Sequence, residues 1–139
     1  YVFADEKYPG IPQMELHTIN EQAFMAKDIE IIPIRAYHYK LPILGFRIGD
    51  FGYITDANFI PPKDMEKLKG TKKLVINALR KKTHISHFSL GEALQVIEKI
   101  APDKAYLIHL SHLMGLHRTV EEELPENVHI AYDGLKIEI

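Results

Sequence analysis

The 139-residue chain contains no cysteine, which excludes a disulfide framework, a thiolate zinc site and a cysteine nucleophile within it. It also lacks a basic excess, since 17 Lys and Arg face 19 Asp and Glu, and this excludes a strongly basic nucleic-acid-binding surface. No apolar run approaches the roughly 18 residues of a membrane span, and we expect no signal peptide from a sequence that opens at Tyr1. We therefore expect a cytoplasmic globular domain without a membrane partner, for which an RNA end held by a few contacts stays open as a ligand.

Hydrophobic patterning predicts a layered α/β domain with a mixed sheet and flanking helices. Gly49-Asp50 and Asp133-Gly134 each separate two apolar runs and predict β-hairpins. Ser89 and Glu92 have the spacing of a capping box and predict a helix start. Residues 7–16 are predicted as an irregular loop and 24–28 as a turn. The predicted strands are 29–37, 41–48, 51–55, 74–79, 105–108, 128–132 and 135–139, and the predicted helices are 61–69, 89–100 and 118–124.

Histidine is abundant, with eight residues in the chain, and two histidines share a position with an aspartate. His38, Asp56 and His109 each come directly after a predicted strand. In open α/β sheets, ligands bind beyond the carboxyl ends of the strands. Two imidazoles and one carboxylate there suit Zn, Mn or Fe, and an aspartate can bridge two cations. The alternative is that each histidine is structural.

Two local His-x-x-His pairs compete with that set, namely His84 with His87 and His109 with His112. On a helical turn, residues three apart share a face and can chelate an ion. His87 also precedes the capped helix, whose N-terminus attracts anions. The alternative is a loop histidine hydrogen-bonded to the backbone, which we favour for His84 and leave open for His87 and His112.

Several short segments, specific in combination, resemble the metallo-β-lactamase superfamily. Within it, they are most similar to the cyclic-phosphate phosphodiesterase of phosphonate catabolism (the PhnP-like branch), and tRNA 3′-processing ribonuclease is a further relative. The resemblance begins at residues 8–12 and spans nearly the whole chain. It implies the C-terminal half of an αββα sandwich. The segments that carry it are His38, Tyr53-Ile-Thr-Asp56, residues 83–94 (THISHFSLGEAL), 106–112 (YLIHLSH) and 131–134 (AYDG).

The resemblance implies a dinuclear metal-dependent hydrolase that uses metal-activated water as nucleophile. Its implied substrate is a small, cyclic phosphate ester. It assigns metal ligation to His38, Asp56 and His109, with Asp56 as the bridge between two Zn, Mn or Fe ions. The superfamily's His-x-His-x-Asp-His motif does not occur in the chain, and we expect it before Tyr1. Residues 1–139 are thus interpreted as the C-terminal part of one domain. Alone, they are expected to be inactive, to hold at most one weakly bound ion, and to bury an open sheet face by homo-oligomerisation.

Three more residues receive roles from the resemblance. His87 matches the histidine that contacts the scissile phosphate and assists proton transfer, and His112 lies in the metal-site loop. Arg80 is either a bidentate phosphate donor or a solvated loop cation. Two other functions stay open. One is a non-catalytic α/β interaction module. The other is a different member of the superfamily, either a hydrolase of thioesters, lactones or lactams or an enzyme of cofactor synthesis.

Overall fold

The computed structural model of the chain describes residues 16–138, and its strands follow one another across one sheet in sequence order. The described helices are α1 (Pro62–Lys67), α2 (Leu90–Ile100) and α3 (His117–Glu123), with a 3₁₀ turn at His112–Met114. The described strands are β1 (Phe24–Ala26), β2 (Ile29–His38), β3 (Leu41–Ile48), β4 (Phe51–Ile54), β5 (Lys73–Asn77), β6 (Lys104–Ile108) and β7 (Val128–Ile130). The predicted mixed sheet with flanking helices is confirmed.

Strand direction decides which loops meet. Strands β1 to β4 pair antiparallel, whereas β4 to β7 pair parallel. Because two antiparallel steps restore the original direction, β2 runs the same way as β4, β5, β6 and β7. The segments that follow these five strands therefore gather at one edge of the sheet, which we call the carboxyl edge. We call the opposite one the amino edge.

The helices pack on a single face of the sheet. Helix α2 begins with the predicted capping box, in which Glu92 accepts a hydrogen bond from the Ser89 backbone N–H at 2.8 Å. Its apolar stripe then faces β5 and β6, because residues three and four apart share one side of a helix. The buried cluster that joins sheet and helices includes Ile34, Ile54, Leu68, Leu74, Ile76, Ala93, Ile97, Leu107, Val120 and Ile130.

The other face of the sheet, which we call the open face, has no described helix packed on it except at its β7 end, where Glu121 of α3 contacts His129 at 3.1 Å. A row of side chains crosses it in register from β3 to β7, and Tyr53 in this row is 40% exposed. The row consists of Phe46, Tyr53, Val75, Tyr106 and His129. This is the sheet face that the sequence analysis expects residues 1–139 alone to bury by homo-oligomerisation.

The predicted C-terminal hairpin is wrong. The turn at Asp133-Gly134 forms, with Leu135 N donating to Tyr132 O at 3.0 Å, but residues 135–138 pair with no strand. They lie over the open face instead, where Leu135 lines a cavity with Tyr106 and the Glu138 carbonyl accepts a hydrogen bond from Lys73. The alternation of apolar residues that predicted a strand is therefore satisfied by packing on the sheet face rather than by strand pairing.

Two further sequence predictions concern the N-terminal region. Residues 24–28 were predicted as a turn, but they contain the short strand β1 and its connection to β2. The predicted irregular loop at 7–16 lies, except for its last residue, outside the described residues. No helix within 16–138 combines the length and the apolar character needed to cross a bilayer.

Candidate metal centre

Side chains from separate loops meet at the carboxyl edge. Asp56 Oδ1 lies 2.9 Å from His109 Nε2 and 3.5 Å from His87 Nε2. One ligand atom from each of these residues falls within 4.8 Å of the others. His38 adjoins them, because its ring meets the His87 ring edge-on with centroids 4.7 Å apart. We call His38, Asp56, His87 and His109 the His–Asp cluster.

Backbone conformation accompanies this convergence. Asp56 and His109 adopt left-handed φ angles of 56° and 58°, and Tyr39, directly after His38, adopts 56°. A residue with a Cβ is disfavoured in this region by roughly 1–3 kcal/mol, and such strain persists only where the surroundings enforce it. The cluster therefore sits on backbone that the rest of the fold holds in place.

Two asparagines that the sequence analysis did not single out supply part of this enforcement. The buried Asn77 amide brackets Ala57, accepting from its N–H and donating to its carbonyl, both at 2.9 Å. Asn58 accepts from Tyr39 N at 2.8 Å and donates to Ile85 O at 3.2 Å. These bonds tie together the segments after β2, β4 and β5. Their only sequence signal was an asparagine at or just beyond a strand end.

Electrostatics favour an ionised Asp56 carboxylate beside a neutral His87 ring. Burial on its own raises the pKa of Asp56, but the Thr55 hydroxyl, which donates to Oδ2 at 2.9 Å, and the neighbouring His109 and His87 outweigh it, so the pKa is lowered. Burial lowers the pKa of His87, and the nearby His109 and His38 add to this effect while Asp56 opposes it. Metal binding needs these same protonation states, a carboxylate and neutral imidazole rings.

The donor set fits a divalent cation. A carboxylate oxygen and imidazole nitrogens are ligands that Zn accepts and that Mn and Fe share. The side chains of Asp56 and His109 are 46% and 38% exposed, so a substrate can reach them, whereas His87 is only 11% exposed. The site is thus open on one side and walled by His87 on the other.

Other sequence candidates lie apart from this cluster or contact it differently. The Arg80 guanidinium donates to Lys82 O at 3.2 Å and Thr83 O at 2.8 Å, so its described contacts brace its own loop. His112 is exposed in the 3₁₀ turn. Their proposed roles toward phosphate and metal stay predictions. Neither His-x-x-His pair forms the helical turn considered above, since residues 84–87 lie in an irregular loop and His109 precedes the 3₁₀ turn.

Comparison with known proteins identifies similar folds. The model of the family described as beta-lactamase superfamily domain matches residues 1–110. The crystal structure of a new diphosphatase from the PhnP family has a TM-score of 0.88 and 34% identity, covering 91% of this chain and 50% of that one. The metallo-β-lactamase fold protein YhfI from Bacillus subtilis has a TM-score of 0.76 at 18% identity, covering 93% and 57%. The short form of human tRNase Z has a TM-score of 0.63 at 17% identity, and the match covers 86% of this chain and 48% of that one. At these low identities, tRNase Z and YhfI show a shared fold alone.

One curated relative is named octanoyltransferase and comes from Porphyromonas gingivalis (strain ATCC BAA-308 / W83). It is 39% identical over 138 residues, which are 98% of this chain but 28% of that protein. The chain thus spans a minor part of this relative and 50% of the PhnP-family diphosphatase.

Proposed function

Because the chain belongs to the metallo-β-lactamase superfamily, we propose that it forms part of a metal-dependent hydrolase and that this enzyme cleaves small, cyclic phosphate esters. The observation that carries the proposal is the His–Asp cluster, in which Asp56, His87 and His109 offer ligand atoms within 4.8 Å of one another. The diphosphatase of the PhnP family, at 34% identity, supports phosphate as the reacting group. The same fold in more distant relatives supports the superfamily only.

The roles within the cluster are those that the superfamily resemblance implies, since the ligand-atom grouping alone contains His87 rather than His38. His38, Asp56 and His109 would hold the divalent cations, which when bound supply Lewis-acid polarisation and a water of lowered pKa. Asp56 directs Oδ1 toward His109, and its Oδ2 is held by the Thr55 hydroxyl, so both oxygens have fixed directions. His87 Nε2, 3.5 Å from Asp56 Oδ1, stands where it can contact the scissile phosphate and assist proton transfer.

Metal analysis and turnover by the full-length protein test this proposal. We expect Zn, Mn or Fe to co-purify and bis-p-nitrophenyl phosphate to be hydrolysed, with a loss of more than about 100-fold in His109→Ala, since even indirect partners of metal ligands matter by 10–100-fold. His117→Ala is the matched control, because His117 is half exposed and contacts Glu121, away from the cluster. Unchanged turnover in His109→Ala would remove His109 from the mechanism.

Residues 1–139 alone are proposed to be inactive. The grouped ligand atoms of the described residues, one each from Asp56, His87 and His109, are too few to enclose two cations. We expect such a protein to take up at most one ion, weakly, and to show no turnover under conditions where the full-length protein is active. Turnover at a comparable rate would contradict this part of the proposal.

A thioester hydrolase is the second candidate, and the relative named octanoyltransferase favours it. An activated water that attacks phosphorus can also attack an acyl carbonyl. Assaying an octanoyl thioester and bis-p-nitrophenyl phosphate with one preparation separates the candidates. A higher kcat/KM for the thioester, lost in His109→Ala, would replace the phosphoesterase proposal, whereas no turnover of either and no metal uptake would favour a non-catalytic module.

The open face supports a proposal about self-association. Tyr53 in its row is 40% exposed, and burying apolar surface is worth roughly 25 cal/mol per Å². We expect residues 1–139 alone to form homo-oligomers through this face, as light scattering after size exclusion would detect. Tyr53→Glu should shift the population to monomer, and Leu116→Glu, 78% exposed on a carboxyl-edge loop, should not. A clean monomer at all concentrations would contradict the proposal.

A further inference from the structure

His84 contacts His87 on the side of the ring that faces away from the His–Asp cluster. The two Nδ1 atoms lie 3.2 Å apart, and Ser86 Oγ lies 2.9 Å from His87 Nδ1 and 3.3 Å from His84 Nδ1. Ser86 is 7% exposed and the His87 side chain 11% exposed, so solvent has little access to this contact. Sequence reasoning favoured a purely structural role for His84.

The hydrogen positions in this group follow from one fixed donor. The Ser86 backbone N–H points at His84 Nδ1 at 3.4 Å, and a backbone N–H can only donate. His84 Nδ1 is therefore an acceptor and carries no proton. Two groups lie within hydrogen-bond distance of it, His87 Nδ1 at 3.2 Å and the Ser86 hydroxyl at 3.3 Å, and each contact is attractive only if that group supplies the hydrogen. In the reverse tautomer of His87, two lone pairs would face each other at 3.2 Å in a mostly buried place.

We propose that His84 and Ser86 are positioning residues that hold neutral His87 in the tautomer with its proton on Nδ1. His87 then turns the lone pair of Nε2 toward the cluster, where Asp56 Oδ1 lies 3.5 Å away. An imidazole with this tautomer can accept a proton, or bind a cation, at Nε2 only. The catalytic consequence rests on the proposed function, but the tautomer itself does not.

Nitrogen NMR of the full-length protein tests the tautomer without any assay. With ¹⁵N-histidine labelling at a pH where the rings are neutral, we expect His87 to show a protonated Nδ1 and a bare Nε2. His84→Ala should move His87 toward the other tautomer, and His84→Asn, whose amide oxygen can accept a hydrogen bond, should retain the original one. His117→Ala should change nothing. A wild-type His87 protonated on Nε2, or an unchanged tautomer in His84→Ala, would overturn the proposal.

Kinetics of the same variants test the consequence. We expect His84→Ala to lower kcat about tenfold at unchanged KM, in the range known for residues that orient site histidines, and His84→Asn to recover most of it. If the wild-type protein hydrolyses neither substrate, the proposed function fails while the NMR result still decides the tautomer. If the enzyme is active and His84→Ala changes the tautomer but not kcat, the positioning role in catalysis is wrong.

Discussion

The two edges of the sheet place different residues in the same backbone conformation. At the amino edge, the turn after β3 and the segment before β5 use Gly49 and Gly70, with φ angles of 54° and 79°. At the carboxyl edge, within two residues of a strand end, Tyr39, Asp56 and His109 adopt φ angles of 56° to 58°. Glycine enters this region at little cost, whereas residues with a Cβ are strained there.

Strain alone does not distinguish the edges, because Lys27 and Ala101 at the amino edge are also left-handed. Lys27 connects β1 to β2, and Ala101 ends α2 by donating from its N–H to Ile97 O at 2.8 Å. Their side chains take no part in a cluster. The carboxyl edge differs in that its left-handed positions carry a carboxylate and an imidazole that touch each other. At the carboxyl edge, strained residues also carry candidate metal ligands. At the amino edge, the strained residues only change the direction of the chain.

Replacing Asp56 by glycine should separate these two contributions most strongly. We expect Asp56→Gly to reduce hydrolysis by the full-length protein more than about 100-fold, because a metal ligand is lost. Its metal-free free energy of unfolding should change by no more than about 1 kcal/mol, since relief of left-handed strain offsets the lost Thr55 hydrogen bond. Turnover assays with two different metal ions supplied measure the first effect, and urea unfolding of the metal-free protein measures the second. Retained activity would contradict the role of Asp56, and a large loss of stability would contradict the strain.

Removing the Asn77 amide should weaken the carboxyl edge without touching a candidate ligand. Asn77→Ala leaves the buried Ala57 N–H without its partner, while Ala57 O keeps the hydrogen bond from Phe88 N, so we expect a loss of about 1–3 kcal/mol in unfolding free energy. Because Ala57 follows Asp56, kcat should fall too. Urea unfolding and turnover measure both effects. Asn58→Ala, at a more exposed site, is the comparison, and an equal or larger loss of stability there would show that Asn77 is not the main tie.

The sequence carried enough information for most of the fold. Apolar runs and turn residues predicted strands β2 to β7 and the capped helix α2, because buried positions dominate these segments. It also indicated that His38, Asp56 and His109 lie at or just beyond strand ends, and because β2, β4 and β6 share a direction these ends meet at one edge of the sheet. The terminal hairpin failed because alternation cannot distinguish a paired strand from a segment that packs across a sheet face.

The loop after β5 was beyond sequence reasoning for a different reason. Its shape depends on hydrogen bonds to distant segments, with Leu79 N donating to Phe88 O at 2.9 Å and Phe88 N donating to Ala57 O at 2.7 Å. These bonds bring His87 to Asp56 and His84 to His87. The spacing of His84 and His87 in the sequence does not indicate these long-range hydrogen bonds. The contact between the two rings is therefore visible only in the structure.

The smallest predicted effect lies at the amino edge, where the turn should need glycine for its backbone alone. A Cβ built on Gly49 meets no atom within 4 Å, so Gly49→Ala carries only the cost of a left-handed residue, about 1 kcal/mol in unfolding free energy. Gly49→Asn should cost less, because asparagine adopts this conformation more readily. Neither variant should change turnover by the full-length protein. A loss of activity in Gly49→Ala at full occupancy of the folded state would mean that the two edges are coupled, and the division between a structural and a chemical edge would then be wrong.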